Sequence, residues 1–339
     1  MFSPLPRVSD SLNPDRMLDR QANVSVVTIE IARTNPNLRP DSNHGSQRAA
    51  YRTRYGSCFN TSIEDFLKSP AATRHRGKVN LIFTSPPFPL ASPKAYGNRE
   101  GQDYLDWLVG IVRSLIPMLT DDGSIVLEIG NAWDRGSPTM STLPIRTLLA
   151  IEEQTNLHLC QQFVWENSAR LPGPATWVNK RRIRVKDSHT NLWWFSPTTF
   201  PKANNRNVLT PYSDAMKRLI STGKYNHGTR PSEHVISDKF FARNNHGAIP
   251  GSTLIMGNTS IDSRYSKWCT QNGLTSHPAR MPIKLADFFI RFLTDENDRV
   301  MDPFSGSNTT GSAAELARRK WLSIEKDSDY VLGSQGRFL

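Results

Sequence analysis

The feature that most limits what this chain can fold into lies near its C-terminus, where two apolar segments of strand length flank a helical one. Asp298–Asp302 (DRVMD) and Lys320–Glu325 (KWLSIE) have the composition of strands, and Thr309–Arg319 between them has that of a helix. The same alternation occurs earlier. Ser62–Leu67 suggests a short helix and Val79–Thr84 (VNLIFT) a strand. Tyr104, Leu105, Leu108, Ile111, Val112 and Leu115 then fall at helical spacing before Pro117, and Ser124–Ile129 is a further strand. Strands alternating with helices predict an α/β fold, a mostly parallel sheet with helices on both faces.

The 339 residues suit about two domains, or one α/β domain with an insertion. No apolar run approaches the roughly 18 residues that span a bilayer, and the opening MFSPLPRVSDSLNPDR has no apolar core of a signal peptide. Cys58, Cys160 and Cys269 stand far apart, which excludes a C-x-x-C motif and argues against a disulfide framework. The 42 Lys and Arg exceed the 31 Asp and Glu to give a net charge of +11, which favours a polyanionic partner. These properties predict a cytoplasmic protein with no membrane association. Residues 1–50 read as a poorly ordered leader containing one possible strand at Val24–Ile31. Residues 51–196 form the first half of the main domain; Phe163–Glu166 and Asn191–Phe195 within it are strand-like and flank a basic segment, read as a basic hairpin. Residues 197–276 are polar with little periodicity and are expected to form a recognition region, and 277–339 complete the main domain.

Asp302-Pro-Phe-Ser-Gly-Ser-Asn-Thr-Thr-Gly311 joins a predicted strand to a predicted helix, the position of a cofactor loop in a Rossmann-like sheet. Gly306 permits a tight turn, and Ser307 or Asn308 can cap the helix. Glu325 ends the next strand 23 residues after Asp302, close to the offset at which an acid reaches ribose hydroxyls. Ser312-Ala313 follows Gly311 in place of Lys-Ser/Thr, so this is not a P-loop, and G-x-G-x-x-G is absent. A nucleoside ligand without a pyrophosphate fits best, although a capped βα turn with no ligand would use the same residues.

Ser85-Pro86-Pro87-Phe88 follows directly on the Val79–Thr84 strand, at the sheet end where α/β folds bind ligands. Two consecutive prolines fix φ and donate no hydrogen bond, which holds the Ser85 and Pro86 carbonyls as rigid acceptors beside a hydroxyl and an aromatic ring. That set suits the exocyclic amino group of a nucleobase, which needs acceptors for two N–H donors and a face for its ring. Lys180–Lys186 (KRRIRVK) carries five cations in seven residues; extended, it would align Arg182, Arg184 and Lys186 on one face and Arg181 on the other, suited to a phosphate backbone. A solvated edge strand is the alternative for that segment. Glu128 and Asp134 could act in the pocket, although strand-end carboxylates are more often structural, and the tryptophans read as core.

These motifs together resemble the amino-methyltransferases of DNA in their beta arrangement, with the catalytic tetrapeptide first and the cofactor loop last. Ser85 at the head of the tetrapeptide resembles the cytosine-N4 branch more than the adenine-N6 branch. The likeness runs from about Arg54 to the C-terminus and includes Asp122-Gly-Ser-Ile-Val, Trp177 to Asp187 and His277-Pro-Ala-Arg-Met-Pro282. It implies S-adenosyl-L-methionine as cofactor, held by Asp302, Phe304, Gly306, Ser307, Asn308, Thr309 and Glu325, with His277 and Pro278 as a pocket wall. It implies Ser85, Pro86, Pro87 and Phe88 as catalytic residues and no metal. Lys180, Arg181, Arg182, Arg184 and Lys186 would bind double-stranded DNA, and the enzyme would be a monomer paired functionally with a cognate restriction endonuclease. The expected fold is a Rossmann-like S-adenosylmethionine-dependent methyltransferase fold in permuted motif order with a smaller inserted DNA-recognition region. Ser62 stands where the family commonly has an acid opening the short helix, and Asp65 is displaced from that position. Adenine-N6 methylation and a non-catalytic DNA-binding regulator are the rival readings.

Overall fold

The computed structural model describes residues 48–88, 99–223, 228–229, 231–233, 235–236, 243–258 and 263–339. The expectations for the leader up to residue 47, including a strand at Val24–Ile31, lie outside the described residues. The elements run in the order β1 (Tyr51–Arg52), β2 (Gly56–Asn60), α1 (Ile63–Leu67), α2 (Pro70–Thr73), β3 (Val79–Thr84), α3 (Gly101–Leu115), β4 (Leu119–Gly130) and α4 (Leu143–Gln154). There follow β5 (His158–Glu166), β6 (His189–Ser196), α5 (Asp214–Thr222), β7 (Gly228–Thr229), β8 (Val235–Ile236), β9 (Thr253–Ile255) and α6 (Ser263–Gln271). The chain ends with α7 (Ile283–Leu293), β10 (Arg299–Asp302), α8 (Thr309–Leu316), β11 (Lys320–Glu325) and α9 (Ser328–Ser334).

Among the described residues nine strands form one sheet in the order β1-β2-β11-β10-β3-β4-β6-β5-β9. The central run from β2 to β4 is parallel, and β6 pairs antiparallel with both β4 and β5. The apolar runs read from the sequence are strands covered on both faces. Ile82, Ile125, Leu127, Trp193 and Phe195 face the layer of α3 and α4, while Leu81, Phe83, Val126, Leu192 and Trp194 face α7 and α8. The tandem tryptophans thus fill opposite cores, as their predicted packing role requires. α3 buries Tyr104, Leu105, Leu108, Ile111, Val112 and Leu115, the stripe that its spacing predicts. α8 stops at Leu316 rather than Arg319, because Arg318 turns left-handed at φ 57° and the buried Arg319 guanidinium bonds the carbonyls of Ala317 and Thr294.

The basic segment differs from its expected form. It lies in the connection of the β5–β6 hairpin, but Thr176–Lys180 is one π-helical turn, Arg182 has φ 55° and Ile183 N bonds Trp177 O. A two-faced row with alternating side chains therefore does not form. The ends of the 197–276 stretch join the main body: β9 extends the sheet beside β5, and Trp268 of α6 donates to Leu332 O in α9.

Phe289 of α7 is fully buried, stacked on Phe83 at 5.3 Å and edge-on to Phe163 at 5.1 Å. Phe289→Ala removes this aromatic junction and should lower unfolding free energy by about 3–5 kcal/mol in denaturant titration. A loss below about 1 kcal/mol would show that the site can collapse around the smaller side chain.

Candidate active site

Parallel pairing brings the ends of β3, β4, β10 and β11 together, and the two motifs recognised in sequence meet there. Thr84 Oγ1 donates to Asp302 Oδ1 at 2.7 Å, and Thr310 Oγ1 donates to Asp302 Oδ2 at 2.7 Å. The backbone N–H of Phe304 adds a third bond at 3.1 Å. Burial pushes the Asp302 carboxyl up to about 6, against the pull of these three donors. One carboxylate therefore joins the strand that carries Ser85 to the loop and helix that follow β10.

The β3–β4 register pairs Thr84 with Leu127, which sets Ser85 beside Glu128. The Ser85 hydroxyl donates to the Glu128 carboxylate. Burial raises Glu128 to about 7, while Ser85 and the Arg170 charge pull it down and Asp302 pushes it up. This carboxylate, of a kind more often structural at a strand end, is a member of the site. Phe88 lies over Gly130: a Cβ there would come within 2.6 Å of the ring, so only glycine admits the aromatic face.

A cavity of about 700 Å³ opens over these strand ends. Ser85, Pro86, Pro87 and Phe88 line it, as do Asp302, Phe304, Gly306, Ser307, Thr309, Glu325, His277 and Pro278. Glu325 accepts from Gly306 N at 2.7 Å and from Asp327 N at 2.9 Å, and burial raises its pKa. Each of its oxygens retains acceptor capacity for a ligand hydroxyl. His277 covers Gly306, whose φ is 48°; its ring meets Tyr330 edge-on at 4.6 Å and its Nδ1 bonds Ala279 O.

Asn308 is the exception among the predicted cofactor residues. It is fully buried at φ 55°, outside the cavity lining, and acts behind the loop. Its Oδ1 accepts from Gly311 N at 3.1 Å and Ser323 Oγ at 2.7 Å, while its Nδ2 donates to Tyr51 Oη at 2.9 Å. None of Lys180, Arg181, Arg182, Arg184 and Lys186 lines the cavity. Arg184 stacks on Trp133 at 3.5 Å and bonds Pro138 O, and Lys186 Nζ reaches Ser168 O at 2.8 Å. Lys180, Arg181 and Arg182 are exposed, Arg181 lying 5.2 Å from the Trp177 ring.

Several lining residues carry no motif in the sequence. Arg170 bonds Asp187 Oδ2 at 2.9 Å and Thr190 Oγ1 at 2.9 Å, which braces the wall beside Glu128. Trp107 Nε1 donates to Glu64 Oε1 at 3.1 Å, and the Trp107 ring tilts against Phe304 at 5.6 Å. Ser62 caps α1 through Asp65 N, and it is Glu64 rather than Asp65 that reaches the cavity.

Residues 79–335 match the family model described as DNA methylase. The type II methyltransferase M.PvuII of Proteus hauseri is 42% identical over 296 residues, covering 86% of each chain. The chain belongs to the DNA methylase family. The solved structure of the cytosine-N4-specific PvuII DNA methyltransferase superposes with a TM-score of 0.68 at 34% identity, over 87% of this chain and 89% of that one. The DNA adenine methyltransferase YhdJ of Escherichia coli (strain K12) is 39% identical over 296 residues, covering 82% of each chain. This DNA methyltransferase has the Rossmann-like fold of its family, and its cofactor is S-adenosylmethionine.

The cavity fits that cofactor on its own chemistry. Glu64, Asp302 and Glu325 suit a ligand with a cationic centre and a ribose, and Phe304, Trp107 and Tyr330 offer aromatic faces. The Ser305 hydroxyl lines the same space, buried and without a hydrogen-bond partner in the protein, so it has a donor and acceptor to offer. Glu325→Ala should weaken S-adenosylmethionine binding at least about tenfold by calorimetry, since it removes a charged acceptor from the cavity. Unchanged affinity would take Glu325 out of the cofactor site.

Proposed function

We propose that the protein transfers the methyl group of S-adenosylmethionine to N4 of a cytosine rotated out of a specific duplex sequence. It acts as a cytoplasmic monomer and as the modification half of a restriction–modification system, shielding its target from a cognate endonuclease. The observation that carries this reading is Ser85 hydrogen-bonded to Glu128 beside Phe88, on the floor of the cavity that the cofactor loop also lines. A base stacked in duplex DNA cannot reach that floor, so the target must leave the helix.

Phe88 stacks on the extruded ring, held at its height by Gly130. The amino group presents two N–H donors, and Ser85 Oγ and the Pro86 carbonyl accept them. These bonds localise the amino lone pair, otherwise delocalised into the ring. Bound S-adenosylmethionine supplies an electrophilic methyl group on a sulfonium centre. Ser85 Oγ takes the proton that the methylated nitrogen releases and hands its own hydrogen to the Glu128 carboxylate. Glu128 near neutrality is matched to that task, since it is ionised enough to accept and weak enough to hold a proton. Lys180, Arg181 and Arg182 meet the phosphate backbone, whereas Arg184 and Lys186 chiefly hold the loop that presents them. Sequence readout falls to residues within 197–276.

Similarity to YhdJ supports methylation of adenine N6 as a second reading, because the same acceptors would serve that amino group. Incubation with methyl-labelled S-adenosylmethionine and unmethylated DNA, followed by nucleoside analysis, should place label in N4-methylcytosine. Label in N6-methyladenine would establish the second reading instead. Phe88→Ala should reduce transfer by about a hundredfold while cofactor binding persists, and full activity would remove the stacking role.

The protonation of Glu128 predicts the pH profile. Its carboxyl is raised to about 7, so below that value it is already protonated and cannot take up the proton passed on by Ser85. Single-turnover transfer should rise as pH increases through about 7 and level off above it. Glu128→Gln should flatten this rise and slow transfer by about tenfold to a hundredfold. A Gln variant that kept the wild-type profile would assign the titration to another group.

A further inference from the structure

The connection between β5 and β6 carries three bulky apolar side chains that the fold leaves in solvent. Leu171 is 83% exposed, Ile183 60% and Val185 88%. Scattered exposed hydrophobics are ordinary on any protein surface. Leu171 differs in where it stands, directly after Arg170 on the cavity wall. Asp187 N donates to Gly173 O, and Lys186 Nζ donates to Ser168 O at 2.8 Å, so the two arms of the connection are tied together near its base.

Their base is rigid and lies at the cavity wall. Arg170, next to Leu171, lines the cavity and is fixed to Asp187, His189 and Thr190. Asn167, three positions earlier on the same wall, accepts from Ala169 N at 3.2 Å. The same connection carries the π-helical turn at Thr176–Lys180 and the exposed cations Lys180, Arg181 and Arg182. An exposed apolar side chain on a strongly basic connection, next to a residue of the pocket wall, matches one surface chemistry. Nucleic-acid duplexes present anionic phosphates outside and stacked apolar ring faces within.

We propose that this connection carries a wedge that enters the duplex beside the cavity mouth, with Leu171 occupying the place vacated by the target base. The inference rests on the reading that the base leaves the helix. Extrusion breaks two stacking contacts and one base pair and leaves a gap opposite the orphaned partner. A leucine in that gap restores apolar contact to the neighbouring bases and keeps the target from returning, while Lys180, Arg181 and Arg182 of the same connection hold flanking phosphates. The folded protein derives no core packing from Leu171, which is free to serve the complex.

The test uses single-turnover transfer on two duplexes bearing the target located by label mapping. In one the target is normally paired, and in the other it faces an abasic position, where extrusion costs less. Leu171→Ala and Leu171→Gln should each transfer about tenfold more slowly on the paired duplex, yet within about twofold of wild type on the abasic one. Leu171→Met should stay close to wild type on both. Cofactor affinity and melting temperature should be unchanged throughout, since Leu171 is an exposed loop residue. Wild-type rates on the paired duplex for Leu171→Ala and Leu171→Gln, or equal slowing on both duplexes, would overturn the wedge. Wild-type transfer no faster on the abasic duplex than on the paired one would remove the extrusion reading itself, and that result is visible before any variant is made.

Discussion

The site depends on one buried carboxylate. Asp302 receives hydroxyls from Thr84 on one strand and Thr310 on the following helix, and so fixes two chain segments more than two hundred residues apart in sequence. That link adds to the direct pairing of β3 with β10 and sets the strand end carrying Ser85 and Pro86 against the cofactor loop. The arrangement is not free of cost. Because burial raises Asp302 to about 6, its contribution to stability is greatest below the ordinary carboxylate range and declines as pH rises through about 6. Each hydrogen bond to the charged form contributes roughly 1.5–3 kcal/mol, which offsets part of the desolvation. The carboxylate is better understood as a device of position than of stability.

Behind this link a second set of contacts closes the chain's described ends onto the cofactor loop. Tyr51 of β1 meets Ser334 Oγ at 2.6 Å and accepts from Asn308, while Arg337 Nη2 donates to Ser307 Oγ at 3.0 Å. Asn308 itself occupies left-handed space, a conformation that asparagine tolerates better than most residues. The loop is therefore backed by polar groups that find their partners within the protein, and its exposed face is left to the ligand. Precision of this kind suits methyl transfer, in which small errors in alignment cost much of the rate.

The legible parts of the site were those written locally. Ser85–Phe88 and Asp302–Glu325 each sit at a strand end within a few residues of the signals that announce them, and a parallel sheet brings such ends together. Glu128 could not be decided from sequence, because its place comes from register: the pairing of Thr84 with Leu127 puts it beside Ser85. Arg170 and Glu64 had no signal, since their place in the cavity follows from the packing of distant elements. Asn308 was identified as a cap, which it is, but its sequence position does not say that the side chain turns inward. The basic segment failed for a different reason. A period-two reading assumes an extended chain, and a π-helical turn there redirects every side chain that follows.

Charge serves the two ligands in different ways. The chain as a whole is strongly basic at +11, yet its cavity gathers both signs: Glu64, Glu128, Asp302, Glu325 and Asp327 line it together with Arg99, Arg170, Arg280 and Lys326. The outer field attracts the polyanionic duplex over a range set by ionic strength. Within the cavity Glu64, Asp302 and Glu325 favour the cationic cofactor. Net basic charge thus draws DNA to the protein as a whole, while the charge that meets the cofactor is set locally, by carboxylates brought to neighbouring strand ends and the first helix.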